Sequence, residues 1–402
     1  MSEDSRRPYA SYKRTAGFST RAIRAGIRRS AYNEHSPPIY LSSGFWFDNA
    51  DSMAEIFADE QPGSAYGRYH NPSTEELICK LAALEECEDG VVTSSGMSAI
   101  FLSLMSLLQA GDHMLSTRSL FGSTYKLFTD LMPRWGIHAT LLDPVDNHSW
   151  NEAVRPETRL LFIETPSNPG LELVDLVAAR AFCDRHKLLM LVDNCFATPY
   201  LQQPVKLGAD LVIHSATKYL DGQGRVLGGA VLGARELIMP CYRMLRQTGA
   251  TLSAFNAWLL ARSLDTLVVR MERHCANALA LAGWLQTQQG VSNVRYPFLP
   301  DSPQHELARR QMKLGGGLVT FEVNGGLEAG KRFLNNLKLL TLSANLGDTR
   351  SIATHPASTT HARLSPQERA SLGIADGTVR ISAGLEDVAD IQADIAKALT
   401  YA

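Results

Sequence analysis

Five short apolar runs, each closing on a polar residue, constrain this chain more tightly than any other feature of its sequence. They are Val91-Val-Thr-Ser94, His113-Met-Leu-Ser116, Leu160-Leu-Phe-Ile163 before Glu164, Leu188-Leu-Met-Leu-Val192 before Asp193, and Asp210-Leu-Val-Ile-His214. Short apolar runs of this kind read as strands buried on both faces, the habit of parallel sheets. Helix-like stretches lie between them: 74–86, with Leu77, Leu81 and Leu84 at helical spacing and Ser73 or Thr74 as cap, then 100–108, 125–131 and 174–186. Strand, helix and strand in alternation predict an α/β fold, a mostly parallel central sheet wound by helices.

The flanks follow other rules. Residues 1–60 mix charge, Pro37-Pro38 and the aromatic cluster Phe45-Trp46-Phe47 without a sustained period, which predicts an extended arm with one short helix near 52–59. Such an arm cannot bury its aromatics alone, so a second surface, such as another subunit, is expected to cover them. From about residue 250 long helical stretches, 254–267 and 268–286, lead into the glycine-rich strand that opens at Gly315, with a proline-rich loop at 297–303. The predicted organisation is an arm (1–60), a large domain (61–255) and a smaller C-terminal α+β domain (256–402), as 402 residues are too many for one simple core. A net charge of −2 carries no footprint for nucleic acid, and no run of about 18 apolar residues suggests a membrane span. Arg6, Arg7, Lys13 and Arg14, with no apolar stretch behind them, do not read as a secretory signal. Cys79, Cys87, Cys183, Cys195, Cys241 and Cys275 show neither a C-x-x-C pair nor regular spacing, which points to a reducing cytoplasm rather than zinc or disulfides.

The chemistry concentrates at strand ends. Lys218 follows the 210–214 run in Ser215-Ala-Thr-Lys218, where ligands of open α/β sheets bind. A lysine in such a cleft can lose its proton and attack a carbonyl carbon, and the hydroxyls of Ser215 and Thr217 flank it. A phosphate-bearing aldehyde would use both features, and pyridoxal 5'-phosphate (PLP) is such a molecule. Ser95-Gly96-Met97 joins a strand to a helix, so free backbone N–H groups and a positive dipole end would face an anion there. Arg68, between Tyr66 and Tyr69, is either part of a surface turn or an anion contact, since its planar fork suits phosphate. Asp193 is either a helix cap or the carboxylate that holds a proton on a pyridine nitrogen. Phe121 is either a core aromatic or the face on which a flat ring stacks, and Asn168 is placed to donate to a ring hydroxyl. Cys195 has no base motif beside it and reads as a small core residue. His355 and His361 stand in a threonine-rich loop whose spacing makes poor metal geometry, so a packed, hydrogen-bonded loop is expected and no metal.

With Tyr66, Arg68, the Ser95-Gly-Met97 turn, Asp193, Ser215, Thr217, Lys218 and Arg380 in this order, the chain resembles the Cys/Met-metabolism family of fold-type I PLP-dependent enzymes, from about Phe18 to the C-terminus. The resemblance implies the fold-type I PLP-transferase architecture and a covalent bond between Lys218 and the cofactor, with Lys218 then moving protons. It implies that Asp193 pairs with the ring nitrogen, that Gly96, Met97, Ser215 and Thr217 hold the phosphate, and that Tyr66 and Arg68 reach in from a neighbouring subunit of a homotetramer. Arg380, helped by Asn345, would grip the substrate carboxylate. Phe121 replaces the tyrosine that stacks on the ring in most relatives, which leaves proton transfer to Lys218 and Tyr66. The segments Asp221-Gly-Gln-Gly-Arg225, Asn345-Leu-Gly-Asp-Thr349 and 355–361 look like those of the family's sulfide-using branch, whose substrates would be O-succinylhomoserine and sulfide. The competing readings are a cystathionine γ-synthase, a γ-lyase (against the methionine-cleaving kind stands Ser123, where that group usually has cysteine) and a non-catalytic binding module.

Overall fold

The structure is a computed structural model of the chain and describes residues 16–28, 30–58, 60–146, 149–360, 362, 365–371 and 373–402. Arg6, Arg7, Lys13, Arg14, Asp59 and His361 lie outside the described residues. The strands, in chain order, are β1 (Asp89–Thr93), β2 (His113–Thr117), β3 (His138–Leu142), β4 (Thr158–Glu164), β5 (Leu189–Asp193), β6 (Leu211–His214), β7 (Gly229–Gly233), β8 (Val291–Arg295), β9 (Leu318–Val323), β10 (Thr341–Leu342), β11 (Ile352–Thr354) and β12 (Thr378–Ser382). They divide between two compact units, one made of 1–107, 210–221 and 225–267, the other of 108–209, 222–224 and 268–402. The domain limit expected at 255/256 falls inside the helix Ala254–Leu264.

In the first unit β7 runs antiparallel to both β1 and β6. The alternation of apolar runs does not announce β7, because three of its five residues are glycine or alanine. The helix Pro72–Glu85 is buried on nearly every face, and its buried charges are each partnered, as a buried charge must be. Lys80 bonds Asp265 and the Ala261 carbonyl, the latter at 3.1 Å; Arg262 pairs with Glu76, and Glu85 meets His214 at 2.6 Å. The cap of this helix is Asn71, whose side chain accepts the Ser73 N–H, rather than Ser73 or Thr74. Pro72 at the first helical position moves the start forward, since its missing N–H costs nothing there.

The arm contains a helix the sequence does not suggest, Phe18–Arg24, besides Ala50–Phe57. It buries Ala22 and Arg21, and Arg21 donates to the Ala83 carbonyl at 2.8 Å and to Glu86 at 3.0 Å. Part of the arm packs on its own chain. Asn71 Nδ2 donates to the Tyr40 carbonyl at 2.8 Å, and Trp258 Nε1 to the Pro37 carbonyl at 2.9 Å. Tyr32, Leu41 and Trp46 remain 92%, 72% and 85% exposed.

The second unit holds four parallel strands, with β2 paired to both β3 and β4, and β4 to β5. Helix Leu176–His186 starts at Asp175, whose side chain accepts the N–H groups of Val177 and Ala178. A five-stranded sheet ordered β10-β11-β12-β9-β8 is antiparallel except between β10 and β11. Its core joins Phe321 and Phe333, edge to face at 5.9 Å, to Tyr296, Val379, Ile381 and the inward side of the helix Val388–Leu399. Among the described residues no helix is long and apolar enough to cross a membrane.

Candidate active site

In the first unit, β6 delivers Ser215 to Lys218 at its carboxyl end as a tight turn, in which the Lys218 N–H reaches the Ser215 carbonyl at 3.2 Å. Lys218 is half-buried, between the buried Ala216 and Tyr219. Opposite lies the start of the helix Gly96–Leu107, which begins four residues earlier than the sequence suggests. The approach is close: a Cβ at Gly96 would sit 2.6 Å from Ser215 Cβ and 2.8 Å from its Oγ. Only glycine lets the helix N-terminus and the lysine turn come together, which sets the N-terminal end of the helix beside the Ser215 hydroxyl. Ser95 Oγ accepts the Ser98 N–H at 3.1 Å, and Thr217 Oγ1 accepts the Gly228 N–H at 3.1 Å, so these hydroxyls also hold the turn in shape. The loop 66–70 is stitched to the arm by the Gly67 N–H, 2.7 Å from the Ser43 carbonyl, and by a bridge between Gly44 and Tyr66. The Arg68 guanidinium lies over the rings of Tyr66 and Tyr69, 5.5 and 5.0 Å from their centres, and Tyr66 is 43% exposed.

In the second unit, β4 and β5 end side by side in acids, Glu164 in register with Asp193. Asp193 is buried and accepts the Cys195 N–H at 3.0 Å. Glu164, which sequence reasoning passed over, accepts the Phe121 N–H at 2.8 Å. Burial pushes its carboxyl well above the usual carboxylate range; the charge of Asp193 adds to this, and the N–H groups of Phe121 and Asn168 oppose it. The signal was in the sequence, because two apolar runs both end in an acid. The Phe121 side chain is 44% exposed, so the residue is no core aromatic. Arg380, on β12 and buried, donates through Nη1 to Asn168 Oδ1 at 2.9 Å and through Nη2 to the Asn345 carbonyl at 3.2 Å. Asn168 thereby turns its Nδ2 donor away from Arg380. Of the residues expected in the site, the second unit thus brings together Asn168, Arg380 and Asn345 directly, and links Phe121 to Asp193 through Glu164. Gly224 adopts φ +65°, and a Cβ there would lie 2.5 Å from Asp348 Oδ2. His355 is buried, with Nδ1 2.7 Å from Ser358 Oγ and Nε2 2.6 Å from the Asp376 carbonyl, so both ring nitrogens serve the fold.

Taken unit by unit, the chemistry of these groups suits parts of PLP: in the first unit the Gly96–Ser215 approach would suit a phosphate and Lys218 an aldehyde, and in the second Asp193 and Phe121 would suit the nitrogen and the face of a pyridine ring.

A family model described as "Cys/Met metabolism PLP-dependent enzyme" matches residues 19–400. An O-succinylhomoserine sulfhydrylase of Pseudomonas aeruginosa is 48% identical over 384 residues, 96% of this chain and 95% of the relative. An L-methionine gamma-lyase of Fusobacterium nucleatum is 44% identical over 386 residues, 95% of this chain and 98% of the relative. The crystal structure of a putative O-acetylhomoserine (thiol)-lyase from Campylobacter jejuni, which carries a pyridoxyl-lysine, superposes with a TM-score of 0.93 at 32% identity, covering 96% of this chain and 100% of that one.

Proposed function

Because the chain belongs to the Cys/Met-metabolism family of PLP-dependent enzymes, we propose that it replaces the succinyl group of O-succinylhomoserine by sulfide, giving homocysteine and succinate for methionine synthesis. The cofactor is PLP, and the γ-elimination and γ-replacement chemistry is that of the family. The observation that carries the finer reading is the likeness over almost the whole chain to a relative named O-succinylhomoserine sulfhydrylase. When bound, the cofactor supplies a covalent handle on the substrate amine and an electron sink for the charge left at carbon.

The chain's own residues do the rest. The Lys218 amine takes the proton from Cα and then from Cβ as general base, and returns protons as general acid, with Tyr66 beside it from the partner subunit. Gly96, Met97, Ser215 and Thr217, with Arg68 of a second copy, hold the phosphate. Asp193 keeps the ring nitrogen protonated, Asn168 donates to the ring hydroxyl, and Phe121 covers the ring face. Arg380, braced by Asn168 and by the Asn345 carbonyl, presents its fork to the substrate carboxylate. Sulfide brings neither amine nor carboxylate, so a single such clamp suffices, whereas cysteine as nucleophile needs a second. We further propose a homotetramer and a cytoplasmic location, the latter in keeping with six free cysteines. Wild-type protein offered O-succinylhomoserine with equal sulfide and cysteine should form homocysteine far faster than cystathionine. A clear preference for cysteine would replace this reading by a cystathionine synthase.

A further inference from the structure

Beside Asp193, in register across parallel strands, stands a second acid, Glu164. Neighbouring strands lie about 4.8 Å apart, and the two residues are only 5% and 8% exposed. Two carboxylates in so dry a place resist carrying charge together. Their partners differ. Glu164 Oε2 accepts the Phe121 N–H at 2.8 Å, and Asp193 Oδ1 accepts the Cys195 N–H at 3.0 Å.

We propose that Glu164 is a positioning residue for the cofactor ring: its carboxyl group keeps the proton of the Glu164–Asp193 pair, leaves the negative charge on Asp193, and ties the Phe121 backbone to the same strand end. The ring nitrogen and the ring face are then served by residues that share one support. Deep burial and the adjacent charge hold the Glu164 carboxyl well above the ordinary carboxylate range, in agreement with this geometry. The inference rests on the reading of Asp193 and Phe121 given above.

The test compares Glu164→Gln with Glu164→Asp, and runs Asp193→Asn beside them. Each apoprotein is titrated with PLP, and both the dissociation constant and the visible circular dichroism of the bound cofactor, which reports ring orientation, are recorded. Glutamine is neutral and reaches the Phe121 N–H, so Glu164→Gln should lie closer to wild type in both readouts than Glu164→Asp, whose shorter arm gives up that bond and should weaken PLP about tenfold. Glu164→Gln as weak as Glu164→Asp, or weaker, would overturn the proposal, because a charge rather than a protonated support would then be at work. Asp193→Asn separates the two assignments: if it binds PLP as wild type does, the ring-nitrogen reading itself fails, whatever Glu164 does.

Discussion

In the proposed function, Arg380 is the side chain that would grip the substrate carboxylate. It is buried, its Nη1 bonds Asn168, and its Nη2 bonds the Asn345 carbonyl, so its direction is set before substrate arrives. Removing one partner of a buried, charge-assisted pair costs on the order of 3 to 5 kcal/mol. Arg380→Ala should therefore lower kcat/KM for O-succinylhomoserine by roughly two to four orders of magnitude, while the visible absorbance of bound PLP persists; steady-state kinetics with a spectrum of the same sample check this. His274 gives a prediction about pH. Its Nδ1 is 2.7 Å from the Ala383 carbonyl, and burial lowers its pKa from 6.5 to about 4. The folded protein keeps the ring neutral while the unfolded chain protonates it, so its stability is full above pH 6.5 and falls as pH drops toward 4. Between pH 7 and 5 the loss is about 2 kcal/mol, and chemical unfolding of His274→Gln should show a shallower decline over that window than wild type. Among single residues, the candidates Lys218 and Asp193 were legible because each stands where an apolar run ends. Glu164 also closes an apolar run, but its pairing with Asp193 depends on the register of β4 with β5, which no local pattern reports.

Between elements, the helix Gly96–Leu107 against the turn after β6 is the contact that the proposed phosphate site depends on. Gly96→Ala would put a methyl group 2.6 Å from Ser215 Cβ and 2.9 Å from its Cα, so either the helix or the lysine turn must move. Overpacking of this kind costs about 1 to 3 kcal/mol, and PLP affinity should fall by about one to two orders of magnitude. Equilibrium titration of the apoprotein with PLP measures it; affinity equal to wild type would mean the approach does not shape the phosphate site. The parallel strands β2, β4 and β5 were readable because their apolar runs are continuous, and the long helices because their leucines repeat. Among the elements that escaped, two have a clear physical reason. β7 is too rich in glycine and alanine to show a pattern, and the short Phe18–Arg24 buries only Arg21 and Ala22, too few positions to set up a period.

For the whole molecule, the arm and the loop 66–70 both leave large side chains exposed. Leu41 and Trp46 are 72% and 85% exposed, and Tyr66, 43% exposed, follows shortly after. If a second copy covers them, Arg68 serves the partner's phosphate site. Arg68→Ala subunits mixed with Lys218→Ala subunits should then regain part of the wild-type activity, because one hybrid site carries both natural residues; no recovery in verified hybrids would return Arg68 to its own chain. The family and its cofactor were legible from motif order, whereas the split between replacement and elimination depends on how long substrate and sulfide share the site, which motif order does not encode. The most direct measurement is the product ratio of the wild-type enzyme given O-succinylhomoserine with saturating sulfide. Homocysteine should exceed 2-oxobutyrate by at least about tenfold, and methionine offered alone should be cleaved far more slowly than O-succinylhomoserine is consumed. Excess 2-oxobutyrate, or methionine cleaved as fast as O-succinylhomoserine, would contradict the assignment and make the protein a γ-lyase.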